Sequence, residues 1–146
     1  SAPYGVYPAS DAYIAIAMTP IGKLAPLLGL EAELAPYADK PKSWFTDRDA
    51  IKAIIAAKIA TRTVDEWLAV LDPADIWCAR VLDWNQLLAS DGFAVLDMLQ
   101  TVTRDDDVTI HTTRSPIRVD GVRNKVTRAA PRVGEHSAAI RKEFRL

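Results

Sequence analysis

The strongest constraint on this chain is a pair of helix-start signals close together in its first half, Thr46-x-x-Asp49 and Thr63-x-x-Glu66. In each, a hydroxyl residue can cap the free N–H groups of a helix while an acidic residue three positions on reaches back. Behind the first, Ile51, Ile54, Ile55 and Ile59 fall on one face, and Lys58 and Arg62 close the last turn. Behind the second, Val64, Trp67, Leu68 and Leu71 repeat the pattern until Pro73. Two amphipathic helices joined this tightly need a common apolar surface to bury against.

The surface is expected from short extended segments. Tyr13-Ile14-Ala15-Ile16-Ala17-Met18, bounded by Asp11 and Pro20, reads as a buried strand. Residues 20–29 read as a helix stopped by Gly29, and 36–46 as a loop. Ile76 to Leu82 reads as a further strand, and Asp83-x-x-Gln86 opens a short helix through Leu88. Leu99–Val102 and Val108–Thr112 read as two strands joined by the turn Arg104-Asp105-Asp106-Asp107.

After Ser115-Pro116 the texture changes. Ile117-Arg118-Val119 is extended, Asp120-Gly121 turns, and Ala130-Pro131 and Gly134 interrupt regular structure before a short helix capped by Ser137 with Ile140 and Phe144 on one side. Charge divides similarly: residues 1–100 hold 8 Lys/Arg against 13 Asp/Glu, and residues 101–146 hold 10 against 6. The fold expected is α+β: residues 1–114 form a small domain of helices on a small, mostly antiparallel sheet. Residues 115–146 form an extended strap ending in a short helix, which must lie on its own body or on another copy to be ordered.

Composition excludes several function classes. A net charge of −1 over 146 residues gives no global attraction to nucleic acid or an anionic membrane. No apolar run approaches the roughly 18 residues of a membrane span. The opening Ser1-Ala2-Pro3-Tyr4-Gly5 has no signal-peptide pattern and no initiator methionine, which suggests a processed or expressed piece. The single cysteine, Cys78, forms no intramolecular disulfide, in keeping with the cytoplasm as the expected compartment.

No self-contained catalytic motif is present, neither a nucleophile elbow nor a phosphate-binding glycine loop. With two histidines and one cysteine, a nitrogen–sulfur zinc site is not expected. His111 lacks a readable carboxylate partner and reads as structural rather than as a general base. Cys78 reads as a small core residue. Asp105-Asp106-Asp107 reads as a solvated turn, because adjacent carboxylates diverge. Arg118, Arg123, Lys125, Arg128 and Arg132 form a basic tail without interleaved aromatics from 115 to 143, so surface docking or a phosphate-bearing ligand is favoured over nucleic acid. Trp44, Trp67, Trp77 and Trp84 read as core or interface anchors.

Four segments, in order, carry a resemblance. They are Gly5-Val6-Tyr7-Pro8 through Asp11-Ala12-Tyr13-Ile14-Ala15-Ile16-Ala17; Thr61-Arg62-Thr63-Val64-Asp65-Glu66-Trp67; Ile76 to Asp83; and Ser115-Pro116-Ile117-Arg118-Val119-Asp120-Gly121 followed by Arg128 to Ser137. Together they resemble CoA-transferase family III, the CaiB/BaiF family, which includes formyl-CoA transferase, carnitine-CoA transferases and alpha-methylacyl-CoA racemase. Ala12, Trp77 and Arg80 depart from the family's usual glycine and prolines.

The resemblance implies the C-terminal part of an enzyme that moves coenzyme A between carboxylic acids, with a CoA thioester as co-substrate. It implies an aspartate that forms covalent intermediates on an upstream, Rossmann-like large domain, and a homodimer in the full-length form. This chain alone would then be inactive, with no catalytic residue and no metal. Tyr4, Gly5 and Tyr7 match the entry segment nearest the cleft and are the substrate-lining candidates. Glu135 and His136 are expected to turn the strap and cap the last helix. Two other readings stay open: a noncatalytic lid or assembly subunit of a split enzyme, and a racemase or isomerase parent using a His/Asp pair.

Overall fold

Ile51, Ile55 and Ile59 recur every four residues and are fully buried, so the helix that carries them lies flat on a sheet. The computed structural model describes residues 1–104, 107–126 and 128–146. It resolves into two compact units, Ser1–Asp83 and Trp84–Leu146.

The first unit is built on a three-stranded antiparallel sheet in the order β1 (Gly5–Pro8), β2 (Tyr13–Ile16), β3 (Cys78–Val81). Its helices are α1 (Ile21–Leu28), α2 (Glu31–Leu34), α3 (Ser43–Thr46), α4 (Arg48–Ile59) and α5 (Val64–Leu71). Tyr7, Ile14 and Ile16 from the sheet join Leu24, Leu28, Ile51, Ile55, Trp67 and Leu71 from the helices in one core. Trp67 is sealed there because its indole N–H donates to the Ile59 carbonyl at 2.8 Å, so its one polar atom is satisfied.

The second start signal forms as the sequence implies. Thr63 accepts from the Glu66 N–H at 3.3 Å, and the Glu66 carboxylate accepts from the Thr63 N–H at 2.8 Å. A third group assists from the β1–β2 turn, where the Asp11 carboxylate accepts from the Val64 N–H at 2.8 Å. The first signal does not form. Thr46 is the last residue of α3 and its hydroxyl donates back to the Lys42 carbonyl at 3.3 Å. The cap position passes to Asp47, which makes no side-chain cap bond. The segment read as a loop over 36–46 therefore contains a helical turn, held by Ser43 and Thr46 bonding to backbone carbonyls.

The second unit holds α6 (Trp84–Ala89), α7 (Asp91–Leu96), the hairpin β4 (Leu99–Thr103) and β5 (Thr109–Thr113), a smaller hairpin β6 (Arg118–Val119) and β7 (Val122–Arg123), and α8 (Ser137–Phe144). The Asp120-Gly121 turn has φ of 49° and 77°, the positive values that a two-residue hairpin turn needs. Asp105 and Asp106 of the predicted β4–β5 turn lie outside the described residues. The buried polar anchor of this unit is Arg114. Its guanidinium donates to the carbonyls of Leu96, Asp97 and Ser115 at 2.6, 2.6 and 2.7 Å, tying the end of α7 to β5.

Ser137 does not cap α8. It is the first helical residue, because Gly134 at φ 83° turns the chain early and the Ser137 N–H already bonds to the Gly134 carbonyl. From Ser115 onward all the described residues except Arg123 and Ala129 are exposed, some of them only by about half. This segment touches its own unit through Arg123 and Lys125, both 3.4 Å from the Asp97 carboxylate, and through the Val126 N–H, which donates to Gln100 at 2.8 Å. The architecture is α+β, helices with small antiparallel sheets.

Candidate functional site

Strand alternation gives the first sheet two unlike faces. Along β2, Ile14 and Ile16 point into the core, while Tyr13 and Ala15 point out. The register places Val6 and Ala79 on either side of Ala15. One row on, Ala17 donates its N–H to the Trp77 carbonyl at 2.8 Å, with Tyr4 on the β1 side. The central strand thus carries methyl groups, with rings beside Ala17 and the smaller Val6 and Ala79 beside Ala15. A groove of about 390 Å³ results, floored by Ala15 and Ala17 and walled by Tyr4 and Val6 on one side and Trp77 and Ala79 on the other. The next row on this face, Pro8–Tyr13–Val81, lies outside the lining of the groove. Tyr4 and Trp77 are 60% and 76% exposed, an unusual state for aromatic side chains on the same sheet face.

The sequence-derived candidates divide between the two faces. Tyr4 and Gly5 border the groove. Tyr7 is buried on the opposite face, where its phenol donates to the Pro3 carbonyl and burial pushes its pKa up to about 12. Gly5 also has a packing role: a Cβ there would stand 3.1 Å from the Lys52 Nζ reaching across from α4. Ala15, Ala17, Trp77 and Ala79 were not singled out from sequence as groove residues. The signal was the Ile-Ala-Ile-Ala alternation, which separates large from small as well as inside from outside.

The groove's chemistry is apolar and unreactive. None of the residues that line it carries a charge. Cys78 borders it, but partial burial pushes its thiol up to about 11, aided by its hydrogen bond to the Asp72 carboxylate at 3.5 Å and by that carboxylate's charge. At neutral pH the sulfur stays protonated and is a poor nucleophile. Behind the sheet, Arg80 bridges Asp65 at 2.8 Å and Asp11 at 3.5 Å, and the Val64 N–H followed by Arg80 holds the Asp11 carboxyl below its ordinary range. That network fastens β3 to α5.

In the second unit His111 is exposed and lies 3.1 Å from the Thr101 hydroxyl. The Glu135 carboxylate accepts from the Arg132 N–H at 2.6 Å, which tightens the turn before α8, and His136 sits 3.6 Å from Glu135. Among the described residues no three His, Cys, Asp or Glu side chains converge on a metal position, and no helix is long and apolar enough to cross a membrane.

Comparison with known proteins gives one family. The profile of CoA-transferase family III matches residues 1–137. The probable fatty acyl-CoA transferase Rv3272 of Mycobacterium tuberculosis is 30% identical over 90 residues, which is 62% of this chain and 23% of that protein. A crystal structure of a mutant form of Rv3272 superposes with a TM-score of 0.68 at 26% identity, covering 94% of this chain and 39% of that one. A CAIB/BAIF family protein from Brucella suis gives 0.65 at 28% identity, covering 98% and 38%. The chain therefore spans well under half the length of these relatives.

Proposed function

We propose, from the premise that this chain belongs to CoA-transferase family III, that it is the C-terminal, cleft-covering part of an enzyme that moves coenzyme A between carboxylic acids. The observation that carries this reading is the apolar groove beside the entry segment Tyr4-Gly5, with substrate-sized space, no charged lining residue and a bordering thiol, Cys78, that keeps its proton at neutral pH. A surface of this kind positions an acyl group and excludes water while another domain performs the chemistry.

In this reading the reacting aspartate belongs to a Rossmann-like large domain outside residues 1–146. Its carboxylate attacks the donor thioester, expelling CoA thiolate and leaving a mixed anhydride. The thiolate then attacks the aspartyl carbonyl, releasing the donor acid and leaving an aspartyl-CoA thioester for the acceptor carboxylate. Residues 1–114 act as the small domain, residues 115–146 as the strap that returns to the large domain, and two full-length copies form a dimer working in the cytoplasm. The exposed apolar side chains of the strap, Ile117, Val122, Ile140 and Phe144, support that role, because they are uncovered in the chain by itself.

The test is a CoA-transfer assay with the chain alone and with the full-length enzyme, supplying an acyl-CoA and a free carboxylate. Transfer only by the full-length enzyme is expected. Turnover by the chain alone would overturn the placement of the aspartate. Exchange of the proton next to the thioester, with no need for a carboxylate acceptor, would replace the transferase reading with a racemase.

A further inference from the structure

We infer that the β6–β7 hairpin is a movable arm of the second unit, clasped by the Asp97 carboxylate and opened as one piece when that charge is screened. The inference stands apart from the transferase reading. It begins with what holds the arm in place. The apolar side chains Ile117, Val119 and Val122 are 67%, 55% and 61% exposed, so burial contributes little to its position. A hairpin with two residues in each strand does not hold itself together in water. Polar bonds therefore set where it lies, and they converge on one short stretch, Val95 to Gln100.

Asp97 is fixed from behind by the buried Arg114. It ends α7 in the left-handed conformation, at φ 48°, and its carbonyl accepts from the Arg114 guanidinium at 2.6 Å. The carboxylate is left to the arm, where Arg123 and Lys125 both approach to 3.4 Å. Lys125 first, and Arg123 after it, hold the carboxyl below its ordinary range, so it is charged at neutral pH. Ion pairs this exposed are individually weak and sensitive to salt. Two neutral bonds stand beside them: Arg123 donates to the Val95 carbonyl at 3.4 Å, and the Val126 N–H donates to Gln100 at 2.8 Å. At the root of the arm, Arg114 grips the Ser115 carbonyl at 2.7 Å and Pro116 follows, so Ser115 is the last fixed point before it. An arm fixed at its root, largely exposed along its length and fastened by charge opens at the fastening first.

The experiment is hydrogen exchange of the full chain read by mass spectrometry. Peptides within 117–126 report on the arm, and peptides covering β4 and β5 serve as the internal reference. Raising sodium chloride from about 0.01 M to about 1 M shortens the screening length from roughly 30 Å to roughly 3 Å. It should speed exchange in the arm about fivefold and leave the reference unchanged. Asp97→Asn, a residue that tolerates the left-handed backbone, should show the faster exchange already at low salt and lose the salt response. Lys125→Gln, which alters only the arm, should give a smaller rise of about twofold. Arm exchange indifferent to both salt and Asp97→Asn would overturn the inference. So would arm and reference speeding up together with salt, because the unit would then open as a whole. Where Asp97→Asn by itself disturbs the reference, the double variant Arg123→Gln with Lys125→Gln carries the same test, and unchanged arm exchange in it would overturn the inference equally.

Discussion

Two buried or half-buried side chains show how local surroundings decide chemistry. Cys78 keeps its proton because desolvation and the Asp72 carboxylate both oppose a thiolate. With a thiol pushed up to about 11, it should alkylate at pH 8 on the order of a hundredfold more slowly than a free cysteine of ordinary pKa near 8.5. Asp72→Asn should raise the rate measured with iodoacetamide, since it removes the carboxylate's share of the shift. Tyr7 is the complementary case, a phenol kept neutral and satisfied by the Pro3 carbonyl. Tyr7→Phe should lower stability by about 1 kcal/mol, the ordinary worth of one hydrogen bond, read as a lower urea midpoint at unchanged slope. That the segment holding Tyr4, Gly5 and Tyr7 is extended was legible in the sequence, but which face each side chain takes was not. That depends on the strand's phase, which the single core residue Tyr7 fixes only after the helices pack on it.

Among the elements, α5 shows the closest agreement between sequence and structure. Thr63 and Glu66 close a reciprocal cap, and Val64, Trp67 and Leu71 are buried as their spacing requires. Thr63→Ala should cost about 1 kcal/mol, checked by chemical denaturation. The contribution of Asp11 to the same helix start was invisible, because it reaches α5 from 53 residues away. It also gives the unit a definite acid response. Asp11 and Glu66 are held below their ordinary values of 3.8 and 4.5, chiefly by backbone N–H donors. The folded state therefore gains stability from them above those values and loses it as pH falls through the depressed ones. Asp11→Asn should flatten the acid-unfolding curve below about pH 4, whereas an unchanged curve would deny Asp11 that part. The failed Thr46 signal teaches the converse. A hydroxyl can satisfy its own preceding turn instead of the next helix, and the pattern alone does not say which. β2 was expected to be buried throughout because alanine counts as apolar. Its small outward residues instead left one face open.

At the scale of the molecule, burial is concentrated in residues 1–83. The second unit relies on a few polar anchors, Gln100 and Arg114 foremost. Beyond Ser115 the chain is held by a handful of bonds to Asp97 and Gln100. Limited trypsin digestion should therefore cut first at Arg118, Arg123, Lys125 or Arg128 and leave a protected fragment containing residues 1–83. Early cleavage at Lys52 or Lys58 would contradict that ranking. The charge division, acidic before residue 100 and basic after it, foreshadowed a change of environment, but it could not locate the boundary of the compact units at Asp83. That boundary is set by where the core residues stop, with Ile76 and Cys78 the last to pack on it.

The two faces of the first sheet also separate two kinds of inheritance. Ile14 and Ile16 answer to the core, whereas Ala15, Ala17 and Ala79 answer only to what lies outside it. Single substitutions on the outward alternation can therefore resize the groove while the inward one preserves the scaffold. The outward face is thus free to change shape without any loss of the fold that presents it.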